Sequence, residues 1–269
     1  MIRITDLGMV FAQGTPDENT ALESINLEIN RGDFITVIGS NGAGKSTLFN
    51  ALSGTYTPTR GTILLKNEEA GPERDITREP EFIRARYIGR IFQNPLLGTA
   101  GKMTLADNMM ICHKKGYKGL RISLNTAMRE YFREQLRILG MGLEDRLNDN
   151  VELFSGGQRQ ALTLLMTVMS RPALLLLDEH TAALDPRNAE IVMDLTMRFA
   201  AEYGLTVMMI THNMGHAIAY GSRLIMMDEG RILLDIGAGE KSRLTTESLV
   251  QRFRDIKKVS LQNDEMLLG

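Results

Sequence analysis

A short apolar run that breaks into a glycine-rich loop with a lysine most restricts what this chain can fold into. Residues 34–38 are apolar or β-branched throughout, as in a strand that is buried on both faces of a sheet. The pattern GxxxxGK[ST] follows at once, and a helical pattern then extends to Ser53. Strand, loop and helix N-terminus in this order predict a loop whose backbone amides surround a phosphate group. The residues of this predicted phosphate loop are Gly39, Ser40, Asn41, Gly42, Ala43, Gly44, Lys45, Ser46 and Thr47.

Two side chains of the phosphate loop have separate predicted tasks. Lys45 is placed to neutralise the β- and γ-phosphates of a nucleotide, and the Ser46 hydroxyl is placed to ligate Mg²⁺. A glycine-rich turn without function is the alternative, but the strand–loop–helix context favours the nucleotide site. The loop alone leaves kinases, GTPases and many ATPases open.

The alternation of strand and helix patterns predicts an α/β fold with a largely buried sheet. Further strands are predicted at residues 24–29, 62–66, 87–92, 173–178, 206–210 and 223–227, with a hairpin turn at 228–230 into 231–235. Between residues 94 and 170 the strand patterns stop, and helices are predicted at 105–113, 126–139 and 156–170. We therefore expect a P-loop nucleotide-binding core at 1–93 and 171–240 that includes an N-terminal antiparallel β region. A helical subdomain at 94–170 and a helical tail at 241–269 complete the predicted division.

Composition restricts the functions that the chain can perform. Its 269 residues carry a formal net charge of −2, so no global attraction to nucleic acid or to anionic lipid is predicted. A single cysteine, Cys112, excludes an internal disulfide and fits a reducing cytoplasm. The sequence begins without a signal-peptide pattern and has no run near the roughly 18 apolar residues of a membrane span. Any membrane role is therefore expected to depend on a partner.

Two surface segments have alternative interpretations. A basic loop could be a solvated connector or a contact for a partner or for lipid; it contains Lys114, Lys115, Lys118 and Arg121. The apolar, glycine-containing segment 94–103 is predicted to lie on the surface, where Leu96 and Leu97 would dock a partner. Alternatively, these two leucines attach the loop to the core. The side chains expected to extend the docking surface are Met103, Leu105, Met109 and Met110. The tail after Lys258 is polar and is expected to fray.

A second acidic motif ends one of the predicted strands. Four leucines at 174–177 are followed by Asp178 and Glu179. Asp178 is expected at a strand end beside the phosphate loop, where it can reach Mg²⁺ through water. Because side chains alternate along a strand, Glu179 is expected to point elsewhere and to accept a proton from the water that attacks the γ-phosphate. Two solvated acids after a core strand are the alternative, and the upstream phosphate loop weighs against it.

Residues 153–160, Leu-Phe-Ser-Gly-Gly-Gln-Arg-Gln, resemble the LSGGQ signature that, with a phosphate loop, marks ATP-binding-cassette (ABC) ATPases. Phe154 replaces the usual leucine and keeps an apolar side chain at that position. Two glycines that open a helix also form a second anion-binding N-terminus. The resemblance, which covers roughly residues 1–240, implies that this second site serves the ATP of a partner chain in a head-to-tail dimer. The residues implied are Ser155, Gly156, Gly157 and Gln158.

The same resemblance assigns roles to further residues. Gln93 matches the Q-loop glutamine that links Mg²⁺ and the attacking water to a membrane partner, and His212 matches the switch histidine that contacts the γ-phosphate. Residues 182–185 match the D-loop, which crosses the dimer interface. Phe11 fits the aromatic residue that stacks on adenine, although an early aromatic residue can equally belong to the core.

His180 departs from the family pattern, in which proline usually follows the catalytic glutamate. Its ring could titrate beside the attacking water, or it could be a packing residue. The run 178–181, Asp-Glu-His-Thr, together with residues 37–42, is similar to one branch of bacterial importer ATPases. That similarity implies a separate permease, an extracytoplasmic substrate-binding protein and a position on the inner face of the cell membrane, with amino acids as a suggested cargo.

Other functions stay open at this point. An exporter ATPase shares the same motifs. A soluble ABC ATPase acting on ribosomes or DNA usually has two cassettes or a long coiled coil, and it leaves a basic stripe; this chain has none of these features. A module that binds ATP without hydrolysing it would be expected to lack Glu179 or His212, and both residues are present. The motifs identify neither the cargo nor whether the second cassette is identical.

Overall fold

A computed structural model describes residues 1–66, 73–113 and 124–256, which form two β-sheets with helices packed on them. The basic residues at 114–121 and the tail after Lys258 lie outside the described residues. The strands are β1 (Ile2–Phe11), β2 (Asn19–Ile29), β3 (Phe34–Gly39), β4 (Arg60–Leu65), β5 (Arg74–Asp75), β6 (Ile88–Ile91), β7 (Leu174–Asp178), β8 (Val207–Ile210), β9 (Arg223–Asp228) and β10 (Arg231–Ile236). The helices are α1 (Lys45–Ser53), α2 (Glu81–Arg84), α3 (Leu105–His113), α4 (Thr126–Arg137), α5 (Gly156–Met169), α6 (Pro186–Tyr203), α7 (Met214–Ala219) and α8 (Ala238–Lys241). Residues 246–256 are also helical.

The larger sheet brings the predicted site segments to one edge. Its strand order is β10-β9-β3-β8-β7-β6, and the strands from β9 to β6 are parallel. The carboxyl ends of parallel strands share an edge, and ligands of α/β sheets bind there. The phosphate loop follows β3, Gln93 follows β6, Asp178 ends β7 and His212 follows β8. The topology therefore collects residues that are far apart in the sequence.

The smaller sheet is antiparallel, with the order β2-β1-β4-β5. It confirms the predicted N-terminal antiparallel region, although β1 itself was not predicted. Asp6 (φ 46°) and Ser24 (φ 53°) have left-handed backbones, and the β1–β2 register shifts between Ile4 and Leu7. These irregularities interrupt the alternation of apolar and polar residues from which a strand is recognised.

Leucines of β7 alternate between two hydrophobic cores. Leu174 and Leu176 pack with α1 and the antiparallel sheet, whereas Leu175 and Leu177 pack with the helices on the opposite face. Asp178 continues the first row, since side chains of a strand alternate between faces. Its carboxylate is therefore directed towards α1 and the phosphate loop. The long helix α6, which the sequence analysis did not predict, covers the other core.

The predicted helices α3 and α5 are found within a residue of their expected ends, whereas α4 ends at Arg137 and not at residue 139. The prediction that Met103, Leu105, Met109 and Met110 extend the docking surface is wrong in part, because only Met103 is exposed. Leu105, Met109 and Met110 are buried in the core and cannot extend a docking surface. Leu96 and Leu97, in contrast, are 57% and 64% exposed, so the alternative that they attach the loop to the core is also wrong. The division of the chain at residues 94, 171 and 241 stays a prediction.

Candidate active site

The loop between β3 and α1 has a backbone path that requires glycine. Gly44 has φ 92° immediately before α1, and a Cβ there would lie 2.5 Å from the carbonyl oxygen of Ala21. A Cβ on Gly39 would lie 2.1 Å from the carbonyl oxygen of Met227. Any other residue would have to shift the backbone of a neighbouring segment. The loop therefore leads tightly into α1, whose first amides have no carbonyl partner within the helix.

Lys45 turns back into the phosphate loop. Its side chain is buried, and Nζ donates to the carbonyl oxygens of Gly39 at 2.9 Å and Ser40 at 2.8 Å. Burial lowers the pKa of Lys45, while the charges of Glu179 and Asp178 act in the opposite direction. The amino group thus lies at the centre of the loop, where phosphate oxygens can replace the two carbonyl acceptors.

Oxygen-bearing side chains line a cleft of about 420 Å³ at the sheet edge. Ser46, Gln93 and Asp178 contribute a hydroxyl, an amide oxygen and a carboxylate to it. Mg²⁺ prefers oxygen ligands and usually keeps several of its waters. The donor set and the size of the cleft therefore fit a hydrated Mg²⁺. Leu97 lines the same cleft, which places the exposed apolar segment beside Gln93.

Arg90 is a site residue that the sequence analysis missed. Its Nη2 donates to Asp178 Oδ2 at 2.9 Å, and its Nη1 donates to Asn50 Oδ1 of α1 at 2.6 Å. The guanidinium carbon lies 4.7 Å from the ring centroid of Phe92. One oxygen of the Asp178 carboxylate is therefore held towards α1, and the other is left for a cation. A charged residue between the apolar residues of β6 was the available signal.

Glu179 adopts a strained backbone and contacts His212. Its φ of 48° is in the left-handed region, which non-glycine residues occupy uncommonly and only where the surrounding structure stabilises it. The Glu179 amide donates to the carbonyl oxygen of Ile210 at 3.2 Å. Its carboxylate oxygen Oε1 lies 2.5 Å from His212 Nε2. The predicted base and the predicted γ-phosphate sensor are therefore direct neighbours.

A second cleft, of about 320 Å³, connects this pair to the phosphate loop and to Phe11. It is lined by residues 41–47 together with Phe11, Glu179 and His212. Phe11 packs partly on the core and makes an edge contact with Tyr56 at 5.3 Å between ring centroids. Phe11 therefore contacts the core and also lines the cleft, and its stacking on adenine stays a prediction.

The signature residues lie apart from both clefts. Ser155 caps α5, since its Oγ accepts from the Gln158 amide at 3.2 Å while Gln158 Oε1 accepts from the Ser155 amide at 3.1 Å. Ser155 and Gly156 are exposed, whereas Gly157 is buried against Asn188 of α6. Among the described residues, those that line the two clefts do not include 155–158. The protein thus has a helix N-terminus whose exposed residues line neither of these clefts.

His180 does not face the attacking water, so the idea of a titratable ring there is wrong. The side chain is fully buried, and Nε2 lies 3.1 Å from Thr196 Oγ1 of α6. Thr196 Oγ1 donates to the carbonyl oxygen of Val192, so the His180 ring donates to Thr196. Burial lowers the pKa of His180 to about 4. The ring is uncharged at neutral pH, and the packing interpretation is correct.

Comparisons with known proteins agree with this geometry. A family model described as ABC transporter matches residues 22–182. The tyrosine transport ATP-binding protein of Clostridioides difficile is 38% identical over 258 residues, which are 94% of this chain and 98% of that protein. The phosphate-import ATP-binding protein PhnC of Mycolicibacterium smegmatis is 32% identical over 238 residues, 87% of this chain and 88% of that protein.

Solved structures are similar over most of the chain. A dimeric bacterial ABC transporter cassette has a TM-score of 0.73 at 26% identity, covering 88% of this chain and 99% of that one. A dimeric cassette in a post-hydrolysis state, bound to ADP and Pi, has a TM-score of 0.71 at 25% identity with the same coverage. Within the described ranges, no helix combines the length and the apolar character needed to cross a membrane. The fold, the family match and the relatives lead to one conclusion: the chain belongs to the ABC transporter family and is an ATP-binding subunit of the type that hydrolyses ATP.

Proposed function

We propose that this subunit hydrolyses ATP with Glu179 as the general base and His212 as the γ-phosphate sensor. The observation that carries the proposal is the 2.5 Å contact between Glu179 Oε1 and His212 Nε2 in the cleft that also contains the phosphate loop. A carboxylate in this position can accept the proton of an attacking water, and the half-exposed imidazole stays accessible to phosphate oxygens. Lys45 would neutralise the β- and γ-phosphates, and Phe11 would stack on the adenine.

Three oxygen donors would hold Mg²⁺ in this proposal, namely Ser46, Gln93 and Asp178. The bound ion would neutralise charge on the phosphate oxygens. Arg90 keeps one Asp178 oxygen turned towards α1, so the same carboxylate is presented to the cleft in one orientation. Residues 39–47 would surround the phosphates with backbone amides.

A second copy of the chain would complete each ATP site. Ser155, Gly156, Gly157 and Gln158 form a helix N-terminus that is exposed at Ser155 and Gly156 and does not line the two clefts described above. Helix N-termini attract anions because their amides are unpaired and the helix dipole is positive there. In a head-to-tail dimer the signature of one chain would contact the γ-phosphate bound by the other. ATP would then close the dimer, and hydrolysis would reopen it.

Mixed dimers test this arrangement. Lys45→Ala and Ser155→Arg chains should each be inactive alone, because every site of either homodimer carries a lesion. In a mixed dimer both lesions fall in one site and the other site is whole, so ATPase activity should return in mixtures. Wild-type chains mixed with each variant serve as the control for exchange of subunits. Mixtures that stay inactive, although labelled chains do pair, would show that the signature acts on the ATP of its own chain.

A separate membrane permease is the proposed partner, and the complex would be a bacterial importer at the inner face of the cell membrane. A relative named for tyrosine transport supports the transporter role, and one named for phosphate import supports the direction of transport. Four exposed apolar side chains would form the docking surface, which we define as Leu96, Leu97, Met103 and Leu153. Exposed apolar groups close together are typical of surfaces that a partner covers. Motion at Gln93 would reach the permease through this surface.

An amino acid, with tyrosine as the first candidate, is the proposed cargo, delivered by an extracytoplasmic binding protein. Purification of the tagged subunit from membranes should recover a permease and such a binding protein. ATPase of the reconstituted complex should then rise with tyrosine-loaded binding protein but not with phosphate. Stimulation by phosphate alone would refute the cargo, and recovery with ribosomes or DNA would refute the transporter role.

A further inference from the structure

The side-chain amide of Gln160 lies between the two catalytic segments. Gln160 is 1% exposed, and its Nε2 donates to the carbonyl oxygen of Phe92 at 3.1 Å and to that of His180 at 2.7 Å. Phe92 immediately precedes Gln93, and His180 immediately follows Glu179. One NH₂ group therefore connects the backbone at the start of the Q-loop to the backbone next to the proposed base.

Packing alone does not explain a glutamine at position 160. Both hydrogens of Nε2 have acceptors, but Gln160 Oε1 is buried and has no hydrogen-bond partner among the described residues. Buried polar atoms are nearly always paired, so a buried amide with an unpaired oxygen needs an explanation other than packing. A methionine of similar length would fill the same space without leaving an unpaired oxygen. The amide is therefore best explained by the two carbonyl groups that it holds.

The backbone that Gln160 holds is the strained one. Glu179 has φ 48°, a conformation that persists only where the surroundings stabilise it. The Glu179 amide donates to the carbonyl oxygen of Ile210, and the Glu179 carbonyl oxygen accepts from the Ala182 amide at 2.9 Å. The hydrogen bond from Gln160 to the next carbonyl, that of His180, is a third restraint on this turn.

Gln160 also belongs to the helix that begins at the signature. Helix α5 starts at Gly156 with Ser155 as its cap, and Gln160 is in its second turn. A rigid helix moves as a unit, so a shift of the signature is transmitted to Gln160 and from there to both carbonyl groups.

We propose that Gln160 is a positioning residue that sets Glu179 and Gln93 relative to each other and makes their placement depend on the signature helix. The inference rests on the proposed roles of Glu179 and Gln93. It adds a physical connection, within one chain, between the ATP site that contains Glu179 and the signature residues that would contact the ATP of the partner chain. In this arrangement Gln160 does not touch ATP. Its loss should therefore change the rate of hydrolysis and not the affinity for nucleotide.

The test is Gln160→Met in the full chain, compared with Thr163→Val. Thr163 is buried one turn later on α5, where its Oγ1 donates to the Arg159 carbonyl, so its replacement removes a buried hydrogen bond of the same helix. Gln160→Met should lower kcat about tenfold while KM for ATP stays nearly unchanged, which is a loss of about 1.4 kcal/mol in transition-state stabilisation. Amide hydrogen exchange should become faster in segments 92–97 and 179–184. If Gln160→Met is too unstable to purify, Gln160→Asn serves instead, and it should also lower kcat while KM for ATP stays nearly unchanged.

Three results would overturn the inference: a kcat loss below about threefold, an equal kcat loss in Thr163→Val, or unchanged exchange in both segments. Each would reduce Gln160 to a packing residue. Glu179→Gln, measured beside it, tests the base separately. Sustained turnover in Glu179→Gln refutes the proposed function, whereas sustained turnover in Gln160→Met refutes only the role of Gln160.

Discussion

Arg84 supports the helix that follows the phosphate loop, and its removal should destabilise the whole core. The side chain is fully buried. Its Nη1 donates to the carbonyl oxygens of Ala51 at 2.6 Å and Leu52 at 2.9 Å, at the C-terminus of α1. Nε and Nη2 donate to the carbonyl oxygens of Glu79 at 2.9 Å and Thr77 at 2.8 Å. One guanidinium group thus donates hydrogen bonds to carbonyl groups at the end of α1 and in the segment that leads into α2.

The magnitude follows from these contacts. Arg84→Met keeps a long apolar side chain but leaves four carbonyl groups without their donor. A buried acceptor that loses its partner costs about 1–3 kcal/mol, so the lower end of this range gives roughly 4 kcal/mol for the set. Removal of the charge offsets part of this, because burial already disfavours the guanidinium and lowers its pKa. We expect a loss of about 3 kcal/mol in the free energy of unfolding.

Urea denaturation and thermal unfolding measure this loss directly. At about 2–4 °C per kcal/mol for a protein of this size, the melting temperature should fall by roughly 6–12 °C. Arg78→Met is the matched control, because Arg78 is exposed nearby and its replacement should change stability by less than about 0.5 kcal/mol. A loss below about 1 kcal/mol in Arg84→Met would refute the argument that the four carbonyl groups depend on this side chain.

Further predictions concern the base, the docking surface and a buried amine. Glu179→Gln should still bind ATP but lower kcat by about 100-fold or more and accumulate an ATP-loaded dimer, and near-normal phosphate release would exclude Glu179 as the base. Leu96→Glu should leave the ATPase of the isolated subunit intact and abolish recovery of the permease, whereas Phe82→Glu, at another exposed apolar residue, should leave both the ATPase and the recovery of the permease intact; loss of isolated ATPase in Leu96→Glu would contradict the docking surface. Burial lowers the pKa of Lys241 to about 8, so between pH 8 and 10.5 the unfolded chain binds this proton more strongly. The free energy of unfolding should therefore rise with pH across that window in wild type relative to Lys241→Met, and parallel curves would contradict the shift.

The strands and helices that the sequence predicted are those with an uninterrupted local pattern. The strand before the phosphate loop, the four leucines of β7 and helix α5 all have apolar residues at regular spacing. Strand β1 was not predicted because its alternation of apolar and polar residues is interrupted near Asp6. The left-handed backbone of Asp6 is stabilised by contacts with the neighbouring strand. The exposure of Leu96 and the burial of Met109 also depend on what packs against each segment, which periodicity does not reveal.

The sequence by itself determined the family and the phosphate loop, because each motif is a short segment whose glycines, charges and helix start are encoded locally. Only the tertiary structure decided which of these segments meet. The contact of Glu179 with His212 and the hydrogen bond of Arg90 to Asp178 depend on the strand order around β7 and β8. The bridge from Gln160 to Phe92 and the burial of the His180 ring depend on how α5 and α6 pack on that sheet. These contacts join residues far apart in the chain, and their geometry follows from packing in three dimensions, which no local pattern encodes.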